Sequence, residues 1–123
     1  MDQPHSIPTG LEEMLAASNT RATYHNQLRI AASKFRGSCM LGFSGGRFLA
    51  TPELIGFLHH KLTIDADRAI VLDANGLPIL IDSLQAFMDI ISSTYHEALN
   101  EYYDECVRLR KSRSPTLMVE ATE

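Results

Sequence analysis

Residues 68–81 read Arg-Ala-Ile-Val-Leu-Asp-Ala-Asn-Gly-Leu-Pro-Ile-Leu-Ile, and this stretch decides the fold. Two apolar runs flank the pair Asn75-Gly76, whose residues readily take the positive φ angles that a tight hairpin turn needs. The stretch therefore predicts an antiparallel β-hairpin over about 68–81. Because Pro78 has no amide donor, its strand is expected at the edge of a sheet.

A long amphipathic helix is predicted directly after this hairpin, from about residue 83 to residue 111. Asp82 and Gln85 form a capping-box pattern at its start. Its apolar positions then recur at steps of three and four, as a helix requires: Leu84, Met88, Ile91, Tyr95, Ala98, Tyr102, Cys106 and Leu109. At 1.5 Å per residue this helix would be roughly 40 Å long, more than the diameter of about 35 Å expected for the whole globule. Its apolar stripe therefore needs a cover, which is either the first helix or another chain.

The N-terminal part of the chain predicts one more long helix. Thr9 and Glu12 form a capping box, and apolar residues follow at near-helical spacing over about 10–35. A polar stretch near Ser18 leaves open whether this helix is continuous or broken. Gly37 is expected to end it.

A second hairpin and a short helix are predicted between the two long helices. Two apolar runs around a Gly-rich turn predict a hairpin over about 39–50. Thr51 then offers an N-cap, Pro52 suits the first helical position, and Glu53 places a negative charge at the positive end of the helix dipole. These residues predict a helix over about 52–62.

The expected architecture is a single α+β domain with three helices and two antiparallel hairpins. At 123 residues and 13.7 kDa, the chain has the length of one ordinary domain. Prolines and sparse apolar residues predict an extended arm over 1–8 and a flexible tail over 112–123, with the domain between them at 9–111.

Charge is distributed unevenly along the chain. The formal net charge is −4; residues 1–62 carry six Lys/Arg against four Asp/Glu, and residues 63–123 carry five against eleven. Non-specific nucleic-acid binding needs a concentrated basic surface, which this composition lacks. We therefore expect no nucleic-acid partner.

Cysteine usage and hydropathy indicate the compartment. Cys39 and Cys106 lack C-x-x-C spacing and follow no secretory signal, so they are interpreted as reduced, partly buried thiols. No apolar run approaches the roughly 20 residues that a membrane-spanning helix needs. The protein is expected in the cytoplasm when synthesised, with no membrane partner.

One motif matches an enzyme signature. The stretch 42–46 reads Gly-Phe-Ser-Gly-Gly, which fits the G-x-S-x-G nucleophile elbow of α/β-hydrolases. That elbow is a strand-to-helix turn in a large parallel sheet, whereas here a strand is predicted to follow Ser44. His96 would be the only base late enough in the chain, and it lies on a helix. A Gly-rich hairpin turn is the favoured interpretation, and no enzyme activity is expected.

Metal and cofactor sites are not expected either. His59 and His60 lie near Asp65 and Asp67, but adjacent helical residues point about 100° apart and cannot readily share one ion. The stretch 73–76 resembles part of an EF-hand loop, yet Val71 stands at the loop's first position and no Glu lies six residues after Gly76.

The residues of the last predicted helix indicate a protein–protein interface. Tyrosines are enriched in interfaces because each brings an apolar ring with a polar tip. Basic residues at the helix end could steer an acidic partner. The predicted interface residues are Tyr95, Tyr102, Tyr103, Val107 and Leu109, with Arg108, Arg110, Lys111 and Arg113 as the basic group.

The stretch 72–81, read with the helix that carries Tyr95 and the sequence Asn100-Glu-Tyr-Tyr-Asp-Glu105, resembles small proteins encoded among the structural genes of tailed bacteriophages. The resemblance covers about residues 70–111 and rests on short motifs. It implies a role in the virion or its assembly, in a tail, neck or baseplate, and it transfers no catalytic residue.

Three hypotheses follow. The first is a non-enzymatic structural or assembly protein that contacts other protein subunits, as a homo- or hetero-oligomer, through its last helix and its termini, and that is incorporated into a virion. The second is a cytosolic regulatory or chaperone-like module that binds one protein partner. The third and most remote is a small serine hydrolase that uses Ser44.

Overall fold

The structure, a computed structural model, describes residues 9–112, without the side chain of Thr9. The arm predicted over 1–8 and residues 113–123 of the tail predicted over 112–123 lie outside this range, whereas Ser112 is the last residue of the final helix. The described elements, in chain order, are α1 (Thr9–Ser38), β1 (Met40–Phe43), β2 (Gly46–Leu49), α2 (Pro52–Thr63), β3 (Ala69–Leu72), β4 (Pro78–Ile81) and α3 (Leu84–Ser112). Three helices and two antiparallel hairpins confirm the predicted α+β class.

The turn of each hairpin contains a glycine with a positive φ angle. In the first, β1 pairs with β2 from Met40↔Leu49 to Phe43↔Gly46, and the turn residues Ser44 and Gly45 have φ of 51° and 86°. Positive φ at both central residues is the signature of a type I′ turn. In the second hairpin, β3 pairs with β4 from Ala69↔Ile81 to Leu72↔Pro78, and Pro78 is the first residue of its strand. Of the pair Asn75-Gly76, only Gly76 has a positive φ, 81°, so the prediction of positive φ at both residues was wrong for Asn75. Each sheet of the described chain has two strands, so Pro78 does lie at an edge.

Helix α2 begins with the predicted cap. Thr51 is extended, with φ −137° and ψ 158°, and its hydroxyl accepts a hydrogen bond from the Leu54 amide at 3.1 Å. Pro52 follows in the first turn, where a missing amide costs nothing.

Two local predictions about the long helices were wrong or imprecise, and the structure answers one question that the sequence left open. The capping residue of α3 is Ser83, whose hydroxyl lies 3.3 Å from the Ala86 amide, and not Asp82. Gly37 does not end α1, which continues through Ser38. The polar stretch near Ser18 does not break α1, because a solvent-exposed helix face accepts polar residues. The capping box proposed at Thr9 depends on a side chain outside the described part.

The chain divides into two compact units. One contains the described residues 9–31 of α1 together with 104–112 of α3, and the other runs from Ala32 to Tyr103. In the first unit, Ala31 and Leu109 are buried.

The second unit contains the main hydrophobic core, which α2, α3 and both hairpins share. Phe87 of α3 lies at its centre, with ring centroids of Phe43 and Phe48 each 4.8 Å away. The largest fully buried side chains of this unit are Phe48, Leu58, Ile81, Leu84, Phe87 and Ile91. Both hairpins are therefore fixed against α3 by apolar contact.

The two hairpins approach each other closely at Gly46. A Cβ atom placed there would lie 2.8 Å from Cγ1 of Ile79 and 3.1 Å from a ring carbon of Phe48. The residue is buried, so these neighbours have little space into which to move. Gly46 is thus required for strand β2 to pack beside strand β4.

We expect Gly46→Ala to lower the free energy of unfolding by about 1–3 kcal/mol, the usual cost of overpacking a core. Urea denaturation measures this difference. Gly42→Ala is the matched control, because Gly42 lies on the neighbouring strand, is exposed, and would bring its Cβ no closer than 3.7 Å to another atom. Equal stabilities of the two variants would contradict the close approach.

Candidate protein-binding surfaces

The first two tyrosines of the predicted interface pack within the chain. The ring of Phe35, near the end of α1, stacks on Tyr102 with centroids 4.9 Å apart and an interplanar angle of 14°. The same ring meets Tyr95 at 6.0 Å, edge to face. Both tyrosines are half-buried. Helix α1 therefore covers this part of the α3 stripe.

The end of the α3 stripe is also enclosed within the chain. Leu109 is 2% exposed inside the first unit, so it belongs to the interior of this chain, and its assignment to a partner interface is corrected. Val107 is half-buried. A polar groove in this unit brings the end of α3 beside the middle of α1; it is lined by Asn19, Thr20, Thr23, Tyr24, Gln27 and Ser112. The cover for this end of α3 is again helix α1.

Tyr103 is the tyrosine that α3 leaves to solvent, with 66% of its surface exposed. Leu99 lies one helical turn earlier and is 38% exposed. Residues four apart on a helix share one face, so these two side chains form a continuous exposed apolar pair. We name this pair the α3 patch.

The basic group at the end of α3 is on the surface. Arg108 donates from Nε to Oε1 of Glu105 at 3.0 Å, and this contact raises the pKa of the arginine above its usual value. Arg110 and Lys111 are exposed in the last turn, where positive charge complements the helix dipole. Arg113 lies outside the described residues. Two described cations thus remain available for steering a partner.

The geometry around Ser44 is that of a hairpin turn. Strand β2, not a helix, follows Ser44, so the strand-to-helix geometry of a nucleophile elbow is absent at this position. His96 directs its Nδ1 to the backbone oxygen of Ser92, 2.7 Å away on its own helix. Among the described residues, His96 is therefore not positioned to act as a base for Ser44.

The described residues contain no cluster of three or more His, Cys, Asp or Glu side chains that could hold a metal ion. His59 and His60 are exposed on α2. Cys39 and Cys106 are free; Cys39 is buried, and burial raises the pKa of its thiol, which keeps it protonated.

Asp73 is a buried carboxylate whose role the sequence did not reveal. Its Oδ1 accepts hydrogen bonds from the amides of Asn75 and Leu77, each at 2.9 Å, within the turn of the second hairpin. Its Oδ2 lies 3.4 Å from the amide of Arg47 in strand β2, and the Ala74 amide donates to the Arg47 carbonyl at 2.6 Å. Asp73 therefore fixes the turn and joins the two hairpins.

These hydrogen bonds also control the charge of Asp73. The Leu77 amide makes the largest contribution, and together with the amides of Arg47, Asn75 and Gly76 it outweighs the opposing effect of burial and lowers the pKa of the carboxyl. Amide donors favour the ionised form because they stabilise its negative charge. The carboxylate is consequently retained at neutral pH.

The second hairpin exposes an apolar face. Its inner residues Val71 and Ile81 are buried in the core, whereas the alternate residues point away from it. The outward residues form two directly opposed pairs, Ile70↔Leu80 and Leu72↔Pro78. Ile70 is 64% exposed, Leu72 65% and Leu80 48%, and Pro78 is also exposed. We name these four residues the outer face.

A signal for the outer face was present in the sequence. Residues 69–72 and 78–81 are apolar at every position, whereas a strand with one solvent-facing side usually alternates apolar and polar residues. A continuous apolar run is typical of a strand that is covered on both sides. In the described chain the second side has no cover.

The functional assignment receives no support from known proteins. Comparison of the chain with protein-family models, with curated proteins and with solved structures finds no match. No helix among residues 9–112 is both long enough and apolar enough to cross a bilayer.

Proposed function

We propose that this protein is a non-enzymatic structural or assembly protein that works by contacting other protein subunits. The outer face of the second hairpin carries this proposal. A contiguous apolar surface costs free energy in water and is usually buried against a partner. Four apolar side chains in register on one rigid hairpin are suited to that role.

The α3 patch supplies a second contact. Tyr103 combines a large ring with a hydroxyl at its edge, which suits an interface that is partly hydrated. The exposed cations Arg110 and Lys111 give electrostatic steering toward an acidic subunit. Compared with the interface predicted from sequence, Tyr103 and the basic residues are retained, Leu99 is added and Leu109 is removed.

The proposed setting is the virion of a tailed bacteriophage, as a tail, neck or baseplate component made in the cytoplasm of the infected cell. Its support is the resemblance over about residues 70–111, the stretch that contains the outer face and the α3 patch. A protein repeated around a particle needs surfaces that are unsatisfied in the single chain, and both surfaces meet that requirement.

The test is the presence of the protein in purified particles. We expect it to co-purify with particles at a fixed ratio to other structural proteins, measured by quantitative mass spectrometry. Recovery only from the soluble lysate, bound to one host or phage protein, would instead support the regulatory or chaperone-like module. Particle-associated protein without any serine-dependent labelling by a fluorophosphonate probe would also count against a hydrolase.

A further inference from the structure

We propose that residues 113–123, here called the C-terminal segment, bind back onto α1 of the same chain. In this arrangement Leu117, Met118 and Val119 cover an exposed apolar face near the start of that helix. The contact lies within one chain, so it goes beyond the proposed function and does not depend on it.

The first four turns of α1 are exposed along their whole length. Every residue from 10 to 23 is exposed. Three of them are nevertheless large and apolar: Leu11 is 42% exposed, Met14 67% and Leu15 54%. Spacings of three and four residues place these three side chains on one side of the helix, which we name the α1 face. A helical segment of about this length is only marginally stable in water by itself, so a covering contact is expected.

The end of α3 lies beside the same helix. Ser112, the last residue of α3, lines the polar groove together with Asn19 and Thr23 of α1, and all three belong to the first compact unit. Asn19 and Thr23 continue the row of Leu11 and Leu15 at intervals of four residues. Residues four apart are neighbours on a helix and form one ridge. The chain therefore leaves α3 beside a ridge that leads to the α1 face.

The connection from Ser112 has a suitable length. Four residues, 113–116, precede Leu117, and an extended chain spans about 3.3–3.6 Å per residue, so Leu117 can lie up to roughly 17 Å from Ser112. At 1.5 Å per residue along α1, Leu15 lies about 12 Å before Thr23, and Leu11 lies about 18 Å before it. The apolar residues of the C-terminal segment therefore reach the α1 face.

The sequence of the C-terminal segment also favours it as the occupant. Its large apolar side chains are adjacent, at 117–119, whereas residues 1–8 offer Met1 and Ile7, which are separated by five residues that include Pro4. Because the C-terminal segment is attached beside this ridge, its local concentration is on the order of millimolar. A separate partner with the same intrinsic affinity would have to exceed that concentration to displace it.

Hydrogen exchange in the full-length chain measures the cover. The serine variant carries Leu117→Ser, Met118→Ser and Val119→Ser together. We expect the amides of residues 13–18 to exchange at least about tenfold faster in the serine variant than in wild type, because loss of the cover promotes local opening of the helix. Amides of residues 84–91, in the core part of α3, should exchange equally slowly in both proteins, which shows that the variant is folded.

The matched control changes three other residues of the same segment. Glu120→Ser, Thr122→Ser and Glu123→Ser together leave the apolar group intact. The exchange of residues 13–18 should then equal that of wild type. A control that matched the serine variant instead would show that the apolar group makes no specific contact.

A nitroxide label locates the C-terminal segment. Attached to Glu120→Cys in a chain that also carries Cys106→Ser, the label should broaden the NMR signals of residues 11–15. Cys39 stays unlabelled, because it is buried and burial raises the pKa of its thiol. A mixture of nitroxide-labelled chains with isotope-labelled chains that lack the nitroxide should show no broadening, since the contact is within one chain.

Three results would overturn the intramolecular contact. Equal exchange in wild type and the serine variant, without broadening at residues 11–15, would leave the α1 face open to another protein. Broadening in the mixed sample would assign the face to the C-terminal segment of a second copy. Broadening confined to other residues would place the segment on a different surface. Slower exchange in wild type, together with broadening of residues 11–15 within one chain, would support it.

Discussion

Replacing Phe87 by alanine should lower the free energy of unfolding by about 3–5 kcal/mol, a large part of the stability of a domain this size. Phe87 is fully buried, and its ring contacts Phe43 and Phe48 of the first hairpin, both at 4.8 Å. Truncation would remove these contacts and leave a cavity that three rigid elements cannot close. Urea denaturation, with circular dichroism as the signal, measures the loss.

Phe57→Ala provides the matched control for this substitution. Phe57 is 40% exposed on α2, and its described ring contact is with the Lys61 ammonium at 5.6 Å from the ring centroid. Its removal should cost about 1 kcal/mol or less. Phe87→Leu, which keeps much of the volume, should fall between the two. If Phe87→Ala were no more destabilising than Phe57→Ala, the core would not be centred on Phe87.

Local sequence signals predicted the elements of this fold because their causes are local. Gly76 supplies the positive φ in the turn of the second hairpin, and Thr51-Pro52 supplies a cap and a compatible φ at the start of α2. Errors arose where neighbouring residues compete for one role. Asp82 and Ser83 are both good N-caps, and the structure uses Ser83.

The surfaces were harder to predict because they depend on contacts between distant residues. The apolar spacing of α3 could not show that Phe35 stacks on Tyr102, or that Leu109 is buried in the first unit. Asp73 resembled part of a calcium loop, but its function depends on the amide of Arg47, 26 residues earlier in the chain. A chain position becomes exposed or buried only when the other elements are in place.

The second large effect is expected at Asp73. Asp73→Ala should lower the midpoint of thermal unfolding by several degrees, because it leaves the amides of Arg47, Asn75 and Leu77 without their acceptor. Asp73→Asn should be less destabilising, since its single oxygen can still accept from the turn amides but not also from Arg47. Asp104→Ala is the control: Asp104 is exposed on α3, and its loss should be nearly neutral. Thermal melts followed by circular dichroism give the order of the four proteins.

The pH dependence of stability separates the contribution of the ionised Asp73 carboxylate from that of side-chain packing. Its pKa in the folded chain is below the value of about 3.9 for an unfolded aspartate, so the unfolded state takes up protons first as the pH falls. The stabilisation by Asp73 is therefore complete above the unfolded pKa and is lost as the pH falls through the folded pKa. We expect the stability difference between wild type and Asp73→Ala to narrow steadily from about pH 5 to about pH 2, measured by urea titration at each pH. A difference that stayed constant over this range would show that the ionised carboxylate has no special role in joining the two hairpins, and that the loss in Asp73→Ala comes from packing alone.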